Sequence, residues 1–159
     1  MLAKPLFLSG QRFVAAGLDR RRRYLALWCV ASPDAFTTEE YRSDWGFFEW
    51  TPHITDWSRD LYALPEGVGP EAFAVDAAGA LYLASFDGMA AAAADAAVAQ
   101  AEARRPGVLW LTAAGLDRQS PRIGLRRLAG ATWSEAPLAL DGVRESIFTP
   151  ISPCVTAPG

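Results

Sequence analysis

The hydrophobic positions of this chain fall into short runs separated by breaks rich in Gly, Ala and Asp. Apolar and aromatic residues dominate residues 7–14, 24–30, 73–75, 81–86, 108–111 and 123–128. Runs of this length and type predict strands. Three of the breaks between them look alike: Ala15-Ala16-Gly17-Leu18-Asp19-Arg20, Asp76-Ala77-Ala78-Gly79-Ala80-Leu81 and Ala113-Ala114-Gly115-Leu116-Asp117-Arg118. A glycine in a turn between strand-like flanks is the ordinary hairpin pattern. Three hairpins are therefore expected, joining 7–14 to 24–30, 73–75 to 81–86, and 108–111 to 123–128.

Residues 89–105 follow a different period. The stretch is mostly Ala, Asp87 stands where an N-cap would, Arg104 and Arg105 suit a helix C-terminus, and Pro106-Gly107 ends it. Asp95, Glu102 and Arg105 share one face of such a helix, and the opposite face is almost all Ala. An Ala face buries little area but lets a helix lie close against a sheet. Thr37-Thr38-Glu39-Glu40 fits a capping box opening a turn through Tyr41, and Thr55 is placed to cap a turn over 56–61.

Together these elements predict one α+β domain over residues 1–147. An antiparallel sheet of three hairpins, curled or barrel-like, carries the Ala-rich helix packed across a face. Residues 148–159, with Pro150, Pro153 and Pro158, read as an extended Pro-rich tail, either disordered or docked. The middle hairpin, Phe73-Ala74-Val75-Asp76-Ala77-Ala78-Gly79-Ala80-Leu81-Tyr82-Leu83, resembles those of β-propeller blades. Four blades of about 40 residues would use the whole chain, and the 89–105 helix leaves no room for them.

Composition agrees with a globular domain. The chain has 159 residues, 51% hydrophobic and 21% charged, and a chain this long buries roughly 70% of its unfolded surface without needing disulfides or a metal. Intrinsic disorder, a collagen-like fibre and a disulfide scaffold are excluded. Cys29 lies in an apolar run and reads as a small buried hydrophobe; Cys154 lies in the tail, and two cysteines make no framework. The N-terminal apolar stretch is interrupted by Pro5 and lacks signal-peptide form. No apolar run approaches the roughly 18 residues of a membrane span. The expected location is the cytoplasm, or a particle assembled there, with no membrane partner.

Charge adds an uneven layout. Net charge is −3, yet residues 1–33 carry +5, 34–102 carry −11 and 103–159 carry +3. Fourteen of the fifteen basic residues are Arg, which with the abundant Ala points to a GC-rich genome. Complementary basic and acidic segments suit self-assembly or capture of a protein partner.

The most unusual segment is Trp45-Gly46-Phe47-Phe48-Glu49-Trp50-Thr51-Pro52-His53-Ile54-Thr55-Asp56-Trp57. Trp45, Phe47, Glu49, Trp50, His53, Asp56 and Trp57 are its candidate partner- or ligand-binding residues, because large aromatics with polar handles serve as anchors and as stacking platforms for sugars. The usual burial of Trp instead favours a core role for these rings. Asp44, Glu49 and Asp56 would supply carboxylates for glycoside chemistry if the segment formed a cleft. His53 has no second His or Cys beside it, so no metal site is assigned.

A basic patch is expected from Arg20, Arg21, Arg22 and Arg23 at one hairpin tip and Arg118, Arg122, Arg126 and Arg127 around another. If the tips share one end, eight Arg gather there and could grip the phosphates of a nucleic acid. The pI of about 5.1 and the absence of interleaved aromatics count against nucleic acid, and a solvated turn that limits edge aggregation is the plainer reading. Neither G-x-S-x-G, Ser-x-x-Lys, nor a phosphate-binding glycine loop occurs. No catalytic residue and no cofactor are assigned. The sequence thus favours a non-enzymatic protein–protein interaction or assembly protein. A small carbohydrate-binding or glycan-cleaving protein is the alternative, and nucleic-acid binding through the Arg tips stands third.

Overall fold

The computed structural model describes residues 4–43 and 46–157, with the backbone but not the side chain of Trp50. Eight strands form one antiparallel sheet: β1 (Phe7–Leu18), β2 (Tyr24–Val30), β3 (Asp60–Ala63), β4 (Ala80–Ser85), β5 (Leu109–Leu116), β6 (Arg122–Leu128), β7 (Arg144–Pro150) and β8 (Val155–Thr156). Their order is β2-β1-β7-β4-β6-β5-β3, with β8 paired to β1. Two α-helices accompany them, α1 (Glu39–Ser43) and α2 (Ala91–Glu102), with 3-10 turns at Pro33–Phe36, Phe48–His53 and Pro70–Phe73.

Strand β4 lies at the centre and is buried on both faces. Its alternation sends Leu81 and Leu83 into one core with Phe13, Leu111, Leu125 and Phe148. Ala80, Tyr82 and Ala84 point the other way, against Ala94, Ala97 and Val98 of α2. The Ala face of the helix is thus the face it buries. The sheet curls into a half-barrel around the first core, to which β2 near one edge contributes Leu25 and Leu27 and β3 at the other contributes Tyr62. Arg59, just before β3, donates to the Tyr41 hydroxyl at 3.1 Å, and Tyr41 stacks on Phe7 at the start of β1, so the two margins of the sheet approach each other.

Consecutive strands pair in β1–β2 and in β5–β6. Each pair holds a Trp over a cross-strand glycine, Trp28 over Gly10 and Trp110 over Gly124, where a Cβ would collide with the indole. The middle hairpin is absent. Residues 73–75 are not a strand, and β4 pairs with β6 and β7 instead. The buried amide of Gln11 explains why: its Oε1 accepts from Val75 N at 3.0 Å and its Nε2 donates to Val75 O at 2.7 Å. With both backbone groups of Val75 satisfied by a side chain, no partner strand is needed, and Phe73 and Val75 cap the first core.

Four further expectations are corrected. The helix begins at Ala91 with Ala90 at its N-cap; the Asp87 carboxylate meets Arg22 and Arg144 instead. The helix ends at Glu102, so Arg105 leaves the face of Asp95 and Glu102 and turns into the interior. No helical turn follows Thr55, where the chain bends at the left-handed Asp56 and passes without regular structure into β3. Strand β7 reaches Pro150 and buries Phe148, so only residues beyond 150 form the tail. That tail is docked: β8 pairs with Ser9 and Gly10 of β1. Cys29 and Cys154 are free thiols.

Two of the similar breaks, residues 15–20 and 113–118, share all six residues and the same backbone course as far as the Leu; they part at the last residue, where Arg118 is left-handed and Arg20 is not. In each, the strand register shifts by one residue between the first Ala and the Gly, against β7 in the first copy and β3 in the second. The following Leu18 and Leu116 adopt left-handed φ values of 56° and 61°. The Asp amide then donates across the sheet, Asp19 to Glu145 O at 3.0 Å and Asp117 to Arg59 O at 2.8 Å.

Candidate interaction surface

The aromatic segment crosses from α1 to the start of β3, outside the sheet. Trp45 and Asp44 lie outside the described residues, as does the side chain of Trp50. The rest is largely at the surface: Phe48 is 64% exposed, Trp57 43% and Ile54 37%. Glu49, His53 and Asp56 are exposed and Phe47 half-buried. The preference for a core role is therefore reversed for Phe48 and Trp57. The physical reason is position: the segment follows a five-residue helix and precedes an edge strand, so no second layer covers it. Phe47 meets Trp57 edge-on at 5.1 Å between ring centres, and the Arg59 guanidinium lies 5.6 Å from the Trp57 ring. Arg59 is itself held by Asp117, whose carboxylate accepts from its backbone N–H at 2.8 Å.

The arginines divide. The β1–β2 and β5–β6 turns lie at one end of the sheet, where Arg22 reaches Gln119 at 3.5 Å and Asp87 at 3.3 Å. Arg20, Arg21, Arg23 and Arg118 belong to these turns. Arg21 bonds Asp19 through its side chain, which holds the Asp19 carboxyl below its usual range. Arg122, Arg126 and Arg127 instead run along β6 towards the opposite end. Arg122 meets Thr112 and Asp95, Arg126 meets Glu135, and Arg127 meets backbone carbonyls.

Neither group was needed to notice a third feature. Strand β2, Tyr24-Leu25-Ala26-Leu27-Trp28-Cys29-Val30, stands at the end of the strand order with β1 on one side only. It contains no charge and no proline. The opposite edge, β3, has four residues and begins with Asp60. Short or charged edges are the usual protection against further pairing, and β2 has neither.

A buried polar cluster was also missed in the sequence. Glu145 accepts from the Tyr82 hydroxyl at 2.7 Å, from Arg105 Nε at 3.0 Å and Nη2 at 2.7 Å, and from Leu138 N at 2.6 Å. Burial opposes the charge on Arg105, but the Glu145 carboxylate and the Tyr82 hydroxyl together outweigh it and raise the guanidinium above its ordinary value. Burial and then Glu145 raise the Tyr82 hydroxyl. Trp133 stacks on Tyr82 at 4.7 Å and 7°, with Arg105 and Arg126 guanidiniums 5.2 and 5.1 Å from its ring. Both carboxylate oxygens of Glu145 are engaged, so the cluster pins the 129–143 connection onto the α2 side of the sheet. The mixture of Glu135, Glu145 and Arg105 in the sequence carried no spacing that would mark it.

Compared with known proteins, residues 58–89 match the family described as strictosidine synthase-like, N-terminal. The match takes in β3, the Pro70–Phe73 turn and β4, about a fifth of the chain, which is too little to place the chain in that family. No curated protein matches the chain, and no solved structure does.

Proposed function

We propose that this is a non-enzymatic assembly protein that joins a second copy of itself by pairing β2 with β2 across a two-fold axis. The observation that carries the reading is the bare edge of β2: seven uncharged residues without proline, unpaired on their outer side among the described residues. Such an edge offers a ready row of backbone donors and acceptors to another strand. An antiparallel pairing centred on Leu27 sets Tyr24 against Val30 of the other copy. A two-fold contact of this kind closes on itself and yields a dimer.

Light scattering after size exclusion tests this. The expected mass is twice the 17.2 kDa of the chain, and it persists at about 500 mM salt, where surface charge pairs are screened and backbone pairing is not. Ala26→Lys, at an exposed position of β2, returns the protein to one chain mass with its circular dichroism unchanged. A monomer for the natural chain at both low and high salt overturns the reading.

A second reading rests on the exposure of Phe48, Ile54 and Trp57, which suits anchors for a different protein or a stacking platform for a glycan. Under it, Trp57→Ala removes binding in a glycan or protein-partner screen without altering the oligomeric mass.

A further inference from the structure

Strands β1 and β2 turn one face to the first core, through Phe13 and Leu25, and the other away from it. On the outward face the register sets Val14 against Tyr24 and Arg12 against Ala26. Arg12 and Tyr24 are thus diagonal neighbours, about 7–8 Å apart between Cα atoms. Tyr24 is 64% exposed, and the Arg23 guanidinium lies 5.5 Å from its ring. Arg12, Arg20 and Arg23 are exposed and make no ion pair among the described residues, while the nearby Asp19 carboxylate is already taken by Arg21. Strand pairing therefore sets an exposed ring among arginines, an arrangement the linear sequence does not display. The acidic excess of the chain lies elsewhere: residues 34–102 carry −11, and neither β1 nor β2 contains a carboxylate. Trp28 offers no second platform, since its ring lies over Gly10 and meets Phe7 edge-on.

We infer that the outward face of the β1–β2 hairpin binds single-stranded nucleic acid, with a base stacked on Tyr24 and backbone phosphates on Arg12, Arg20 and Arg23. Charge selects a polyanion, because a guanidinium meets a phosphate in bidentate fashion. The ring selects an unpaired strand, because a duplex keeps the faces of its bases inside its own stack, whereas a single strand can lay one on an aromatic side chain. Every base has such a face, so the binding is tolerant of sequence. Ala26, small and exposed, leaves the floor beside the ring open. The site uses the face of β2 and not its edge, so it does not depend on how copies assemble.

Fluorescence anisotropy with a labelled oligothymidylate of about twelve nucleotides, within the span of single-strand sites, reads the inference directly. The natural chain should bind it at about 50 mM salt, with log K falling against log salt at a slope of about −2, or about 0.7 for each of three phosphates. Arg12→Gln should weaken binding severalfold and reduce that slope by about 0.7. Tyr24→Ala should weaken binding about tenfold at an unchanged slope, and Tyr24→Phe should keep it, because only the stack is at stake. An abasic strand of the same length should bind the natural chain about tenfold more weakly than oligothymidylate does, and Tyr24→Ala should not weaken it further. All three positions are exposed, so circular dichroism should be unchanged. The inference falls if the natural chain fails to bind oligothymidylate below about 100 μM, an affinity at the weak end of non-specific nucleic-acid binding. Equal binding of the abasic strand or of a duplex of the same length overturns it, as does full binding by Tyr24→Ala.

Discussion

The two copies of Ala-Ala-Gly-Leu-Asp-Arg make the same bulge and the same left-handed Leu and then serve different purposes. In both, a bulge leads to a left-handed Leu and an Asp amide that reaches the neighbouring strand. The residue whose carbonyl receives that amide is Glu145 in the first copy and Arg59 in the second. Glu145 belongs to β7 beside the central strand, is 8% exposed, and ends in the buried cluster with Arg105 and Tyr82. Arg59 precedes the edge strand β3, and its partly exposed guanidinium bridges the buried Tyr41 hydroxyl and the exposed Trp57 ring. Local sequence sets the bulge. Depth in the sheet decides whether the charge beside it becomes a clasp for the core or a bracket for a surface segment.

The largest expected difference lies between those two residues. Glu145→Ala leaves the buried Arg105 guanidinium with only the partly exposed Glu135, 3.2 Å away, and strips the acceptor from the Tyr82 hydroxyl and Leu138 N; it should cost about 3 kcal/mol in urea denaturation. Arg59→Ala, at a partly exposed ion pair, should stay within about 1 kcal/mol; equal losses would erase the distinction. Next come the indoles they touch. Trp133→Ala should cost about 2–3 kcal/mol through lost packing on Tyr82, whereas Trp57→Ala should change stability by less than about 1 kcal/mol.

The aspartates of the two copies sharpen the comparison further. Asp117→Ala removes the acceptor for Arg59 N and should cost about 1–2 kcal/mol, with faster amide exchange at Arg59. Asp19→Ala removes only the local contacts to Arg21 and should cost less. The smallest effect concerns alkaline pH. The Tyr82 hydroxyl has its folded value raised above the ordinary 10, so its protonated form is the stabilised one. That contribution is complete below pH 10 and declines as pH rises past it, by about 1 kcal/mol at pH 11. Tyr82→Phe should flatten part of this decline in melting-temperature measurements; Tyr62 and Cys29, both raised in the same sense by burial, contribute to the rest.

Much of this architecture is visible in the residue pattern, for identifiable reasons. The β1 and β2 runs and the β5 and β6 runs are local neighbours joined by Gly-Leu-Asp turns, so short-range chemistry suffices to pair them. The Ala stretch of α2 declares itself by composition. The placement of β4 does not, because both its partners come later in the chain and nothing in 73–75 reveals that Gln11, sixty-four positions away, will satisfy Val75. The aromatic segment was found by its residue types, but its exposure depends on lying beside a sheet margin, a tertiary fact. Glu145 and Arg105 looked like ordinary surface charges, since burial of a charge is decided by partners drawn from four separate segments.

Strand β7 joins the halves of the sheet: β2 and β1 lie on one side of it, β4, β6, β5 and β3 on the other. During synthesis the β1–β2 hairpin is complete by residue 30, yet no strand of the other half pairs with it until residues 144–150 have been made. At about 5–20 residues per second, the open flank of β1 waits several seconds for its mate. Throughout that interval one flank of β1 lacks its strand partner, and from residue 128 the β4 flank that β7 will cover is open as well, so chaperone engagement should be concentrated there.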